Sequence, residues 1–250
     1  MQTHTFNSFD GTQLTWHEMG EGRPVVLIHG YFSDAETNWI KFGAAQQLVD
    51  KGFRVIMPDL RAHGQSARPH DPAAYPPEAL AMDAEALISH LELTDYDLGG
   101  YSLGARTIVR VLARGNVPPP RRVILSGMGL EGLLDTGARA GYFRHVLTKL
   151  GEHKRGSGAW MAEAFLKTTG GDPVALLGIL DTFVDTTREE IAAIAQPVLV
   201  LAGEDDDDNG SHTALADLLP QATLAEVPGN HMSAVTKKEL GAAIVTFLTA

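Results

Sequence analysis

Short apolar runs recur along this chain at intervals filled by helical patterns. Val25-Val26-Leu27-Ile28, Phe53-Arg54-Val55-Ile56-Met57, Val123-Ile124-Leu125-Ser126 and Pro197-Val198-Leu199-Val200-Leu201 are such runs. They lack the alternation of a strand with one wet face, and they are too short for a helix, so they read as strands buried on both faces. Tyr96-Asp97-Leu98-Gly99-Gly100-Tyr101 is a further strand running into a turn. Between them, residues 38–51, 77–92 and 103–114 have helical spacing, with Leu80, Ala84, Leu87 and Leu91 marking the second. At the start, two alternating segments, 4–9 and 13–18, flank Asp10-Gly11, a strong hairpin-turn signal. At the end come a helix near 212–219, a strand at 223–227 and a helix at 235–248. The expected fold is α/β: a mostly parallel eight-stranded sheet with helices on both faces.

The alternation breaks once. Residues 127–195 hold no convincing strand, only three helical stretches. Phe143, Leu147 and Leu150 share a face of the first, Met161 and Phe165 of the second, and Leu176, Leu180 and Phe183 of the third. Gly and charged residues at 151–158 and 170–172 separate them. The expected organisation is a core of residues 1–126 and 196–250 with an inserted helical lid at 127–195, because connections this long are usually functional. Ordinary extra packing on the sheet is the alternative.

A length of 250 residues suits one such domain with its insertion, and 44% hydrophobic with 20% charged residues is ordinary for a globular protein. The formal net charge is −11, and the only close basic clusters are Arg121-Arg122 and Lys154-Arg155, too short to hold a phosphate backbone, so no nucleic-acid partner is expected. The absence of cysteine excludes a disulfide scaffold, a thiolate metal site and a cysteine nucleophile. No metal-ligand spacing appears, and neither metal nor cofactor is expected. The start Met1-Gln2-Thr3-His4-Thr5-Phe6 lacks a basic and apolar signal pattern, and no run of 18 apolar residues exists. A cytoplasmic protein without membrane association, acting on a small-molecule substrate, is the expectation; nothing in the sequence sets an oligomeric state.

Gly100-Tyr101-Ser102-Leu103-Gly104 has the form Gly-x-Ser-x-Gly, with a strand before it and a helix after it. That pattern places a serine on a sharp strand-to-helix turn, where the helix N-terminus favours negative charge. Ser102 is the candidate nucleophile, and the Leu103 N–H faces the place of a developing oxyanion. His29-Gly30-Tyr31 ends an earlier strand, and the Tyr31 N–H is the candidate second donor; each such donor is worth ~3 kcal/mol. His29 itself reads as a structural residue that orders its loop. Gly203-Glu204-Asp205-Asp206-Asp207-Asp208 follows another buried strand, a position from which an acid can orient a histidine. Asp206 is the first choice and Asp205 the second; the remaining aspartates read as a solvated loop. Pro228-Gly229-Asn230-His231-Met232 follows the last strand, and an imidazole with an ordinary pKa near ~6.5 suits a general base. His231 is that base.

These residues, in this order, resemble the α/β-hydrolase superfamily, in its serine-nucleophile branch with a helical lid. The likeness spans essentially the whole chain. It includes Asp59-Leu60-Arg61-Ala62-His63-Gly64-Gln65-Ser66, similar to the family's Asp-x-Arg-Gly-x-Gly-x-Ser loop, with Ala62 in place of a glycine. The resemblance implies a Ser102-His231-Asp206 triad that cleaves a small to medium, moderately apolar carboxylic ester through an acyl-enzyme. The short His-Gly-Tyr segment resembles the carboxylesterase branch. Two other readings stay open. Gly100 to Arg106 is also similar to a menaquinone-pathway synthase that eliminates pyruvate, in which an arginine at the place of Arg106 meets a substrate carboxylate; carbon–carbon bond hydrolases are related to it. The plainer role for Arg106 is an ion pair on its helix. Some members of the fold only bind ligands. In the expected lid, Trp160, Met161, Phe165, Leu176 and Phe183 supply apolar area, and Trp160 and Phe165 are the candidates for substrate contact.

Overall fold

The computed structural model describes residues 1–250. Eight strands form one sheet: β1 (Gln2–Asn7), β2 (Gln13–Met19), β3 (Arg23–Ile28), β4 (Phe53–Pro58), β5 (Asp97–Tyr101), β6 (Val123–Ser126), β7 (Val198–Gly203) and β8 (Ala222–Val227). Their order across the sheet is β1-β2-β4-β3-β5-β6-β7-β8. β1 and β2 pair antiparallel, β2 meets β4 antiparallel, and every other pairing is parallel. This is the mostly parallel α/β sheet that the alternation of patterns predicts, and the α/β-hydrolase fold that the resemblance implies.

The helices are α1 (Ala44–Val49), α2 (Ala79–His90), α3 (Leu103–Arg114), α4 (Leu130–Leu134), α5 (Thr136–Thr148), α6 (Gly158–Thr169), α7 (Pro173–Asp181), α8 (Arg188–Ala192), α9 (His212–Leu218) and α10 (Lys238–Thr249). None is long and apolar enough to cross a membrane. The continuous apolar runs feed two cores because successive strand residues point to opposite faces. In β3, Val26 and Ile28 join the larger core while Val25 and Leu27 join the smaller; in β7, Val198 and Val200 divide from Leu199 and Leu201 in the same way. The smaller core is closed by Ala44, Ala45 and Leu48 of α1 with Leu240, Ile244 and Leu248 of α10. The larger is closed by α2, α3, α9 and the helices between β6 and β7.

Three local expectations need correction. The helix expected over 38–51 is two pieces, a π-helical turn at Glu36–Ile40 and α1, because Gly43 takes a left-handed φ of 81° and restarts the chain. The stretch between β6 and β7 holds five helices, not three; α4 and α8 are too short to show a period. On α6 the inward face is also rotated from the one expected. Met161 is exposed, while Leu166 and Glu163 are buried.

The strand order places the site. The chain leaves β3 for β4 on one side and later returns to β5 on the other, so the tips of β3 and β5 diverge, and ligands of such sheets sit in the crevice beyond those tips. β3 and β5 are in register from Val25 opposite Asp97 to Ile28 opposite Gly100. His29-Gly30-Tyr31 and Ser102 therefore emerge side by side.

Candidate active site

Ser102 lies between β5 and α3 with φ 52° and ψ −108°, a conformation that L-residues avoid. The two glycines of its motif are imposed by close approach. A Cβ on Gly100 would lie 2.5 Å from the Gly104 carbonyl carbon, and one on Gly104 would lie 2.1 Å from the Ile28 carbonyl oxygen. The Ser102 N–H donates to the Ser126 carbonyl at 2.8 Å, which pins the turn to the tip of β6. Leu103 is the first residue of α3, so its N–H has no carbonyl one turn back to bond. Tyr31 follows the tip of β3 on the other side of Gly30, and a Cβ on Gly30 would sit 3.5 Å from Ser102 Cβ.

His231 and Asp206 come from the loops after β8 and β7. Those loops meet backbone to backbone. The Asp205 N–H donates to the Gly229 carbonyl at 3.0 Å, and a Cβ on Gly203 would lie 2.2 Å from that same oxygen. Across this contact His231 Nδ1 meets Asp206 Oδ2 at 2.9 Å and Oδ1 at 3.1 Å, while His231 Nε2 meets Ser102 Oγ at 3.1 Å. The Tyr101 hydroxyl donates to the His231 carbonyl at 2.6 Å and holds the loop from below. Of the four consecutive aspartates only Asp206 is buried; Asp205, Asp207 and Asp208 are exposed. Burial works against its charge, but the His231 hydrogen bond and charge and the Asp208 N–H outweigh burial and hold its carboxyl below the usual range. An ionised acid on Nδ1 fixes that nitrogen as the donor and leaves Nε2 to accept from Ser102.

His29 has the structural placement expected for it. The Leu60 N–H donates to its Nε2 at 3.0 Å, so Nδ1 carries the proton and donates to the Gly30 carbonyl at 2.8 Å. His63 lies against it, with ring centroids 5.1 Å apart. Its Nδ1 donates to the Arg61 carbonyl, while Nε2 is buried without a partner. Burial pushes the His63 pKa down to about 3 and also lowers that of His29. The folded protein thus refuses protons that unfolded histidines accept below pH ~6.5. His63 then adds stability above pH ~6.5 that is lost as the pH falls from there toward 3, by a few kcal/mol in order of magnitude. The thermal midpoint is expected to fall between pH 6.5 and 5, before most carboxylates titrate. His63→Asn should flatten that slope, and an unchanged slope would exclude His63 as its source.

The cavity beside Ser102 has a volume of about 260 Å³. Tyr31, Phe32 and Phe42 line it from the core, Phe143, Ala162, Phe165 and Thr168 from the helices between β6 and β7, and Met232 and Val235 from the His231 loop. Phe165 is therefore placed at the cavity. Trp160 is not: it lies five residues earlier on α6, about 140° around the helix at 3.6 residues per turn, and is half-exposed on the outside. Phe165→Ala is expected to raise KM for an apolar ester about tenfold through lost contact area, whereas Trp160→Ala should leave KM within about twofold, as surface changes do. A large KM change in the Trp160 variant would put that side chain back at the substrate.

Arg106 is buried on α3, but it makes no ion pair. Its Nη2 donates to the Gly132 carbonyl at 2.9 Å, and its guanidinium carbon lies 4.6 Å from the centre of the Phe183 ring. Burial and the nearby Arg139 charge push its pKa down to about 10. It reaches only two small recesses, one of about 10 Å³ next to Ser102 and one of about 20 Å³ beside Glu78 and Phe183, each with room for about one water and not for a carboxylate. The cavity also contains residues that no sequence pattern marks: Asn38, whose Oδ1 accepts from the Gly30 N–H at 3.0 Å, and the cations Lys41 and Arg139.

The model of the alpha/beta hydrolase family matches residues 25–240. The chain belongs to that family. Among curated proteins, this hydrolase is 26% identical to a non-heme haloperoxidase of Rhodococcus erythropolis, over 96% of its own length and 97% of the relative's. It is 29% identical to a 2-hydroxy-6-oxo-2,4-heptadienoate hydrolase of Pseudomonas putida, but over 52% of its own length and 46% of the relative's. Among solved structures, a hydrolase from Pseudomonas aeruginosa superposes with a TM-score of 0.80 at 21% identity, over 100% of this chain and 99% of that one. A thermophilic esterase from Thermogutta terrifontis superposes with a TM-score of 0.79 at 23% identity, over 100% and 98%. At those identities the structures speak for the fold. The differing names of the relatives leave the substrate of this hydrolase to the chemistry of its own cavity.

Proposed function

We propose that the protein is a serine esterase, cleaving a small to medium, moderately apolar carboxylic ester through an acyl-enzyme on Ser102. The observation that carries this reading is the unbroken relay from Asp206 through His231 to Ser102 Oγ, opening on a largely apolar cavity. His231 Nε2 takes the Ser102 proton as Oγ attacks the ester carbonyl. The negative oxygen that forms is received by the Tyr31 and Leu103 N–H groups, which no backbone carbonyl occupies. Asp206 stabilises the imidazolium. His231 returns the proton to the departing alkoxide, the acyl group stays on Ser102, and a water activated by the same nitrogen then releases the acid. The helices between β6 and β7 act as the lid, since Phe143, Ala162, Phe165 and Thr168 line the cavity that holds Ser102.

The test is direct: turnover of p-nitrophenyl acetate and butyrate by purified protein, with labelling of Ser102 by a fluorophosphonate probe. A folded protein that neither turns over these esters nor takes the label would be a ligand-binding member of the fold, and the reading would fall. The lyase and carbon–carbon hydrolase readings, which need Arg106 at a substrate carboxylate, draw no support from its sealed position.

A further inference from the structure

This hydrolase carries a net charge of −11, yet no Asp or Glu lines the cavity beside Ser102. Apart from His231, the charged side chains that line it are two cations, Lys41 and Arg139. Lys41 Nζ rests 5.5 Å from the centre of the Phe42 ring, exposed and without a carboxylate partner. Arg139 stands on α5 and lines both the main cavity and the recess at Ser102. Its guanidinium is braced by Phe143, with 4.8 Å from its carbon to the ring centre, and Nη2 donates to Asp208 Oδ2 at 2.8 Å. That contact uses one of its donors. Its Nε is buried with no hydrogen-bond partner.

A neutral ester has no use for this arrangement. Arg106 Nε is buried without a partner too, so what sets Arg139 apart is its place on the wall of the main cavity, where a cation beside the nucleophile is a liability unless something binds it. An arginine presents its donors in a planar fork that matches a carboxylate. Asp208 already offsets part of the charge, and what remains suits a monoanion; a phosphate dianion would call for more donors than the cavity supplies. From these residues we infer that the natural substrate is an anionic ester, with a carboxylate beyond the scissile bond that Arg139 receives and Lys41 attracts at the mouth. The inference rests on the esterase reading and narrows its substrate class. It also moves the candidate carboxylate contact from Arg106, which is sealed, to Arg139, which is open to the cavity.

The experiment compares matched pairs of esters. Monoethyl succinate, glutarate and adipate carry the charge on the acyl side, and 4-acetoxybutyrate carries it on the alcohol side. Each is paired with a neutral ester bearing isopropyl in place of the carboxylate. In at least one pair the wild type is expected to favour the anion at least about tenfold in kcat/KM. Arg139→Met should reduce that ratio at least about tenfold, mainly through KM, and Arg139→Lys should restore part of it. Lys41→Met should lower the ratio less, and more so in low salt, as expected for an exposed charge. A wild type that favours the neutral ester in every pair, or an Arg139→Met variant that slows both members of a pair equally, would overturn the inference. Calorimetric titration of the Ser102→Ala protein with monoethyl glutarate reads binding without turnover. Binding there that disappears in the Ser102→Ala, Arg139→Met double variant supports the carboxylate contact. Failure of the esterase reading shows separately, as absence of both label and turnover with neutral esters.

Discussion

Replacing Ser102 by alanine is expected to lower ester turnover by at least about 10⁴-fold, to the residue left by binding and the oxyanion donors alone. Loss of the nucleophile breaks the covalent route, so the defect should appear in kcat, and fluorophosphonate labelling should vanish with it. The backbone makes a second, independent forecast at the same position. Ser102 is held at φ 52° between β5 and α3, where any Cβ is strained. Ser102→Ala keeps that strain, while Ser102→Gly relieves it, so the glycine variant should be as inactive as the alanine one yet more stable by about 1 kcal/mol. Chemical denaturation of the two variants measures the difference. Equal stability would mean that the turn is not under strain, and retained turnover would remove Ser102 from the chemistry.

Asp206→Asn should cost about 10³- to 10⁴-fold in kcat while leaving the fold in place. The mechanism is a change of tautomer. The carboxylate holds the His231 proton on Nδ1; an amide can present its NH₂ group instead, which moves that proton to Nε2 and leaves Ser102 facing a donor. Because Asp206 is buried and its folded pKa lies below the unfolded value, its ionised form also contributes stability. That contribution is present above the unfolded pKa and is lost as the pH falls through the folded one. The wild type should therefore lose stability in acid more steeply than the Asp206→Asn variant below pH ~4, on the ordinary carboxylate range. Asp205→Asn serves as the control, since Asp205 is exposed and contributes only its N–H to the Gly229 carbonyl; kcat should hold within about threefold for such a surface change. Equal losses in the two variants would break the assignment of the acid.

The sequence pattern was most legible where one residue type has one physical use. Buried parallel strands need unbroken apolar runs, so β3, β4, β6 and β7 stand out from their neighbours. The Gly-x-Ser-x-Gly spacing marks a turn in which two Cβ atoms have no room, and the structure shows both exclusions, at Gly100 and Gly104. Asp206 could be preferred but not singled out, because four adjacent aspartates differ only in where a folded loop points them. The helix broken at Gly43 and the exposed Met161 are not carried by periodicity: the first depends on the left-handed backbone that Gly43 takes, the second on packing that buries Leu166 instead. Arg139 left no mark in the sequence. A single arginine in a helix reads as solvated until the fold brings Ser102, Phe143 and Asp208 around it.

The loop after β3 is not independent of the helical segment above it. The Tyr31 hydroxyl donates to the Leu176 carbonyl at 2.7 Å, and the Thr169 hydroxyl donates to the Phe32 carbonyl at 2.7 Å. The residue that offers an N–H to the reaction is thus moored to α7, and its neighbour to the end of α6. An attempt to widen specificity by exchanging residues 127–195 for those of another hydrolase would cut both moorings. Such a graft has to carry its own version of Tyr31 and Phe32, so the practical unit of exchange is the insertion together with the loop after β3.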